Sequence, residues 1–448
     1  MKKLITTLTN IWKIEELRNR ILNTLLFLLI YRVGCHVVLP GVNPEALVVN
    51  REGGNDIMNL INMFAGGSFS RAAIFALGVM PYISASIVVQ LLGIAVPAFQ
   101  KMQKEGESGR KKMNNITRYL TVAITLVQAV AYVKTQIGPE AKTIADPMFS
   151  ILSAVVLTAG TLFVMWLGEK ITDKGIGNGI SLIIMAGIIA QLPAGITAEW
   201  ASRMSPSGGG PIPLLLEFVA LFFVVIFTIL VVQGVRKIPV QYAKKIVGNK
   251  QIGGVRQYIP LKVNAAGVMP IIFAQAIMFL PMSLTQFFPN VQSDFLNSLS
   301  NYTSVTYNVV FALLIIAFTF FYTAIMVNPQ QMSEDMKKNG GFIPGIKPGY
   351  ETNLFIDNVI SHITFPGAVF VAIIAILPAI ATLFGVNNQF AHFYGGTSLL
   401  ILVGVVLDTI QQIESHLLMR HYDGLMKTGR VKGRSTATTV EGYDQSAL

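Results

Sequence analysis

Ten stretches of this 448-residue chain are apolar for long enough to cross a lipid bilayer: residues 21–39, 72–95, 116–133, 148–167, 179–196, 213–232, 263–285, 305–327, 358–384 and 397–413. Each lies near the ~20 residues that a helix needs to span ~30 Å of hydrocarbon. In lipid the backbone must satisfy its own hydrogen bonds, so repeated spans of this length specify helices. Charged residues are only 13% of the chain and hydrophobic residues 52%, whereas a soluble domain carries about a quarter charged. The expected fold class is therefore an all-α polytopic membrane protein with ten transmembrane helices. An even number of spans puts both termini on one side. Of the 34 lysines and arginines, all but Arg32, Arg51, Arg71, Lys134, Lys142 and Arg203 then fall on the side of the termini. The positive-inside rule makes that side cytosolic.

Five spans lie on either side of the loop around residues 201–211. An odd number per half means that two similar halves would insert in opposite orientations, as inverted repeats do. The expected organisation is an amphipathic cytosolic segment at 1–20, with Leu4, Leu8, Ile11 and Trp12 on one face. A first five-helix half at 21–200, a second at 201–415 and a cytosolic tail at 416–448 follow. Two cytosolic loops are long. Residues 233–262 are strongly basic, which suits a topology signal, anionic lipid or a charged partner. Residues 328–357 are punctuated by Gly340-Gly341, Pro344-Gly345 and Pro348-Gly349, ordered-turn chemistry that favours a docking surface.

One stretch breaks the pattern of plain spans. Residues 57–64 are apolar but too short to cross, and Gly66-Gly67-Ser68 interrupts them. The following span is broken by Pro81 and dotted with Ser84, Ser86 and Gln90. Either 57–64 is a surface or re-entrant helix without a special role, or it is half-inserted beside a water-filled path. Non-helical backbone survives at membrane depth only where protein or water surrounds it.

The chemistry that is missing narrows the function. Arg32, Glu169, Glu217, Asp408 and Glu414 stand toward span ends, where snorkelling lowers their cost. Ion-coupled transporters generally need acids or histidines at mid-membrane. There is no HExxH, no Walker A sequence and no GxSxG, so no metal, cofactor or enzymatic activity is expected. The single cysteine, Cys35, excludes a disulfide framework. What remains is mild polarity: Ser84, Ser86, Gln90, Gln128 and Gln275. These are either ordinary helix–helix hydrogen bonds or the lining of a seam that opens.

Six motifs occur in order along the chain: MFAGGSFSRAAIFALGVMPYISASIVVQLL, QKEGESGRKK, MWLGEKITDKGIGNGIS, IPLKVNAAGVMP, GFIPGIKPGYET and YGGTSLLI. Over essentially its whole length the chain resembles the SecY family, the central subunits of bacterial protein-conducting channels. The resemblance implies a clamshell of two inverted five-helix halves around an hourglass pore. It implies a plug at 57–70, including Ile57, Met58, Leu60, Ile61, Phe64, Gly66 and Gly67. A pore ring would comprise Val79, Ile83, Ile184, Ile272 and Ile401. Such a collar of aliphatics blocks ions by dewetting yet yields to a passing chain. A lateral gate would lie between the second and third spans and the seventh and eighth, with Ser84, Ser86, Gln90, Gln128 and Gln275 across or near it.

The implied function is translocation of unfolded secretory chains across the cytoplasmic membrane and lateral insertion of membrane proteins into it. The implied partners are SecE and SecG subunits, the SecA motor, the ribosome, signal sequences and nascent chains, and membrane lipids. Lys244, Lys245, Lys250 and Arg256 could meet ribosomal RNA phosphates, and Lys347 would contribute from the second loop. The family usually has arginine where GIKPG places Lys347; lysine keeps the charge but loses the bidentate fork. The alternative from another class is a small-solute transporter built on inverted repeats.

Overall fold

The computed structural model describes residues 12, 14–44, 62–206, 209–242, 245–247, 250–252, 256–287, 298–299, 301 and 303–427. Each of the ten apolar stretches carries a helix: α1 (Glu15–Gly34), α2 (Met80–Ala95), α4 (Glu107–Gln136), α5 (Met148–Lys174), α6 (Gly179–Met204), α7 (Pro211–Gln233), α8 (Met269–Phe287), α9 (Val305–Met326), α11 (Tyr350–Leu383) and α13 (Gly396–Lys427). Three short helices connect them: α3 (Pro97–Lys104), α10 (Pro329–Lys338) and α12 (Asn388–Ala391). Among the described residues, seven helices are long and apolar enough to span a membrane, or eight if α2 and α3, bent by 100° at their junction, count as one. α1 falls short because its first turns carry Glu15, Glu16, Arg18 and Arg20.

Helix starts follow local chemistry. Pro81, Pro97, Pro211 and Pro329 sit in the first turns of α2, α3, α7 and α10, where the missing N–H costs nothing. Asn178 caps α6 by accepting from the backbone N–H groups of Ile180 and Ser181 at 3.2 and 3.3 Å, and Asn328 caps α10 in the same way. Pro81 therefore starts a helix rather than breaking one. The second span is correspondingly shorter than the apolar run that encodes it: residues 72–79 form turns, not helix. Those turns are held by Leu39 N–H to Ala72 O and Ile74 N–H to Val37 O, both at 2.8–2.9 Å.

Packing separates the chain into neighbours. α1, α2, α4, α5 and α6 pack on one another, and so do α7, α8, α9, α11 and α13. The substantial helix contacts between these two sets run through α6, which meets α7, α12 and α13. A central core joins Tyr31, Phe75, Val79, Ile184, Phe390 and Ile401. A second lies within the first set around Phe69, Tyr132 and Phe149. A third lies within the second set around Ile271, Phe311 and Ile374.

The two long loops hold strands that the sequence reading did not anticipate. β1 (Val235–Tyr242), β2 (Lys245–Val247), β3 (Lys250–Ile252) and β4 (Arg256–Lys262) come from the first, and β5 (Gly341–Phe342) from the second. The sheet order is β4–β1–β5, all antiparallel, with Gln241 opposite Phe342 and Tyr242 opposite Gly341. The two loops are thus one surface. Ile238, Val240, Leu261, Met336, Ile343 and Ile356 form a small core beneath it. Alternation along β1 turns Ile238 and Val240 inward and Lys237 outward, and Arg236, near the start of the strand, is exposed as well.

Candidate functional site

Residues as far apart in sequence as Val79 and Ile401 meet in one central core, where α6 packs on α13. Val79 caps α2, Ile83 lies one turn into it, Ile184 is on α6, Ile272 on α8 and Ile401 on α13. All five line one cavity of about 30 Å³. Phe64, Ala65, Leu77 and Met80 complete its apolar wall. Val79, Ile184 and Ile401 are almost fully buried. Its wall is chiefly apolar, with Ser84 and Gln275 as the polar members, and a space of that size admits about two waters at most. The arrangement is a narrow, mostly apolar neck.

Phe64 and Ala65 reach the neck from the described end of the short apolar helix. Ile57, Met58, Leu60 and Ile61 lie outside the described residues. The helix ends as a Schellman cap: Gly67 N–H reaches Asn62 O at 2.8 Å and Gly66 N–H reaches Met63 O at 3.1 Å. Both glycines have positive φ, +63° and +85°, a conformation that a side chain disfavours. Gly66-Gly67 is thus a helix cap with defined bonds. α6 approaches this cap at Gly187, where an added Cβ would lie 2.8 Å from Phe64 O.

Four side chains hold the cap and the loop that follows. Arg32 of α1 donates to Gly66 O at 2.6 Å. Tyr132 of α4 donates to Phe69 O at 2.6 Å, and its ring packs edge-on against Phe69. The Ser68 hydroxyl bonds Ala65 O and Phe75 O within the loop. From the other set of helices, Ser398 of α13 donates to the Met63 thioether at 3.4 Å. Arg32 therefore commits a hydrogen bond to protein rather than snorkelling alone, as its place near a span end suggested.

The polar residues of the expected gate are less unified. Ser84 and Gln275 line the neck. The Ser84 hydroxyl is committed to Met80 O at 3.1 Å, and Gln90 donates to Ser86 at 3.2 Å. These bonds run along α2. Gln128 is half-buried on α4 and does not reach the neck. α2 packs on α4 and α8 on α9, while α2 and α8 come together chiefly where Ile83 and Ser84 face Ile272 and Gln275.

Two ionic arrangements also depart from the snorkelling expectation. Glu169 is gripped by the guanidinium of Arg118, with bonds at 3.2 and 2.7 Å, tying α4 to α5. Glu217 is buried at the start of α7 and bonded by Arg203 of α6. Arg203 also binds Glu199 at 2.9 Å and Gly385 O at 2.9 Å, and Glu199 accepts from Asn387 N–H at 2.7 Å. The cluster links α6 to α7 and to the turn after α11. The clue in sequence was the pairing Glu199–Arg203 at i, i+4, but nothing there revealed Glu217 as the third member.

On the sheet face, Lys347 is exposed and its carbonyl is braced by Thr352 at 2.8 Å. Lys245, Lys250 and Arg256 lie on β2, β3 and β4; Lys244 lies outside the described residues. Among the described residues no cluster of three or more histidine, cysteine, aspartate or glutamate side chains could hold a metal.

The SecY family model matches residues 73–410. The protein translocase subunit SecY of Halalkalibacterium halodurans is 43% identical over 430 residues, covering 94% of this chain and 99% of the relative. A solved structure described as that of a protein conducting channel superposes with a TM-score of 0.63 at 16% identity, covering 93% and 95% of the two chains. Another, concerned with the plug domain of SecY and its part in sealing the closed translocation channel, gives a TM-score of 0.58 at 17% identity over the same shares. Full-length identity of that order, on the same helical fold, establishes that the chain belongs to the SecY family.

Proposed function

We propose that this chain is the pore subunit of a protein-conducting channel. It passes unfolded secretory chains across the cytoplasmic membrane and releases apolar segments sideways into lipid. It is a multi-pass membrane protein of the SecY family, a family of channel subunits rather than enzymes. The observation that carries the reading is the convergence of Val79, Ile83, Ile184, Ile272 and Ile401 on one apolar neck of about 30 Å³. Flexible aliphatic side chains seal around whatever fills the neck and select no sequence, which suits cargo of varied chemistry.

Each further role has its own support. Phe64 and Ala65 in the neck wall support a plug ending at the Gly66-Gly67 cap. Sparse packing between α2 and α8, against firm packing of α6 on α7, α12 and α13, supports a clamshell of two five-helix halves that opens on the α2–α8 side. A nascent apolar helix entering that seam would partition into lipid by its own hydrophobicity. Opening is then a population shift toward the state that binds cargo.

The sheet face is the cytosolic face, with both termini on that side. Its exposed Arg236, Lys237 and Lys347 suit ribosomal RNA phosphates and the SecA motor, the latter supplying the energy for translocation. SecE and SecG subunits would cover apolar helix faces such as that of α7, where Leu215, Phe222 and Leu230 are exposed, and lipid the remainder.

The test is reconstitution. Vesicles holding this chain with its small subunits are given the motor, ATP and an unfolded secretory protein. Protease-protected cargo is the expected result. Saturable uptake of a small solute by the purified chain, with no protected cargo, would replace the reading with that of a transporter.

A further inference from the structure

Two carboxylates share one guanidinium edge where the two sets of helices are joined. Arg203 donates from Nε to Glu199 at 2.9 Å and from one terminal nitrogen to Glu217. Those two nitrogens form an edge that ordinarily takes both oxygens of a single carboxylate. Here it takes one oxygen from each of two, so the acids stand side by side. Their side chains are 1% and 8% exposed. The second oxygen of Glu199 accepts from Asn387 N–H at 2.7 Å. Among the described residues, Oε2 of Glu217 has no hydrogen-bond partner, and neither has the buried hydroxyl of Tyr394. Tyr394 belongs to the same place: its ring meets Phe390, and Phe390 meets Phe218, the neighbour of Glu217. Burial, and after it the charges of Glu217 and Glu199, raise the Tyr394 hydroxyl above its ordinary value, so it stays a donor beside the acids.

One cation and two acids leave one negative charge in excess. A buried charge without a counter-charge is strongly destabilising, and two carboxylates held this close do not both ionise. From this geometry we infer that Glu199 and Glu217 form a proton-binding site, holding one proton between them, and that this proton clasps the two helix sets together. With it the cluster is neutral: one carboxyl, one carboxylate and one guanidinium. Its release to water puts a net negative charge where α6 meets α7 and where Arg203 reaches the Gly385 carbonyl. Repulsion there loosens the joint and lets the halves part more readily. The orientation proposed above puts the cluster at the outer side of the membrane, so the proton is exchanged with that side. The clasp rests on the two-half channel reading; the proton site does not.

The other groups around the cluster do not titrate in its place. Arg203 stays charged, Tyr394 stays protonated, and the turn after α11 offers the main-chain groups of Gly385 and Asn387. His392 lines a separate cavity with Gln275 and Tyr307, and burial pushes its imidazole down to about 4.

The first test is unfolding of the full channel in nanodiscs across pH, with wild type compared with Glu217→Gln and Glu199→Gln. Above the ordinary carboxylate range the native cluster holds a proton that the unfolded chain has lost, so stability falls as pH rises. From about pH 5 upward the wild-type folding equilibrium should drop by about tenfold per pH unit relative to either variant, then level off once the shared proton is gone. Parallel profiles for all three proteins would overturn the proton site. An infrared titration of wild type carrying isotope-labelled glutamate needs no substitution. A protonated carboxyl band that persists above the ordinary carboxylate range is expected, and its absence would overturn the site equally. The second test reads the clasp. In planar bilayers of oriented channels, raising pH on the outer side alone should raise the cargo-free ion conductance of wild type and leave that of Glu217→Gln unchanged. Wild-type conductance that ignores outer pH, while the unfolding profiles diverge, would overturn the clasp. Diverging profiles with no protected cargo at any pH, in wild type or either variant, would instead overturn the channel reading on which the clasp rests.

Discussion

Replacing Arg203 with methionine should destabilise the channel far more than neutralising either of its acidic partners. Arg203 alone faces Glu199 and Glu217, with side-chain exposures of 14%, 1% and 8%. One guanidinium cannot neutralise two carboxylates, so the native cluster already holds one acid in excess. Arg203→Met leaves both carboxylates buried, close together and without a counter-charge, and strips Gly385 O of its donor. Breaking a buried ion pair from one side costs about 3–5 kcal/mol. Glu217→Gln removes the excess charge, keeps an acceptor for Arg203 and leaves the Arg203–Glu199 bond intact. Its cost should stay below about 1 kcal/mol. The double variant Arg203→Met with Glu217→Leu should recover part of the loss, because one stranded carboxylate is less costly than two. The assay is unfolding of the reconstituted channel in nanodiscs, with all four proteins compared at one temperature. A cost for Glu217→Gln equal to that for Arg203→Met would refute the charge argument. So would a double variant no more stable than Arg203→Met alone.

Three further outcomes follow from the same geometry. Ile184→Asn or Ile401→Asn places a hydrogen-bonding group in the neck, wets it, and should raise cargo-free ion conductance over wild type in planar bilayers; the equally apolar Ile401→Leu should not. Gly187→Val puts branched carbon where an added Cβ already lies 2.8 Å from Phe64 O, so it should push the seal out of the neck and leak, whereas Gly187→Ala should leak less. Converting Arg236, Lys237 and Lys347 together to glutamine should weaken ribosome binding, and the slope of log affinity against log salt should shallow by about 0.7–0.9 for each phosphate that is no longer neutralised.

How much of this was legible in the sequence varied by level. The ten apolar runs were plain, and each does carry a helix, seven or eight of which are long and apolar enough to span among the described residues. Their ends were not. The 72–95 run reads as one span, yet its first eight residues fold as turns because Val37, Leu39 and Ser68 give their backbone groups other partners. The strands of the sheet escaped notice because β5 is two residues long and pairs with β1 about a hundred positions away. Val79 and Ile401 are indistinguishable from packing residues by type. Motif context singled them out, and the packing of the central core brought them together. The ionic readings failed for one shared reason: position along a helix says how deep a charge lies, but not which partner waits there. Glu217 had Arg203, Glu169 had Arg118 and Arg32 had the Gly66 carbonyl.

The most direct test of the pore is site-specific photocrosslinking. A photoreactive residue is placed at Ile83, Ile184, Ile272 or Ile401 in turn, and a secretory protein is stalled midway through translocation. If the neck is the conduit, all four positions form adducts with the same stalled chain, because four helices surround it at one level. Stalled cargo that crosslinks at none of the four, while engaged elsewhere on the channel, would mean that the aliphatic ring is ordinary packing and that the path lies outside it.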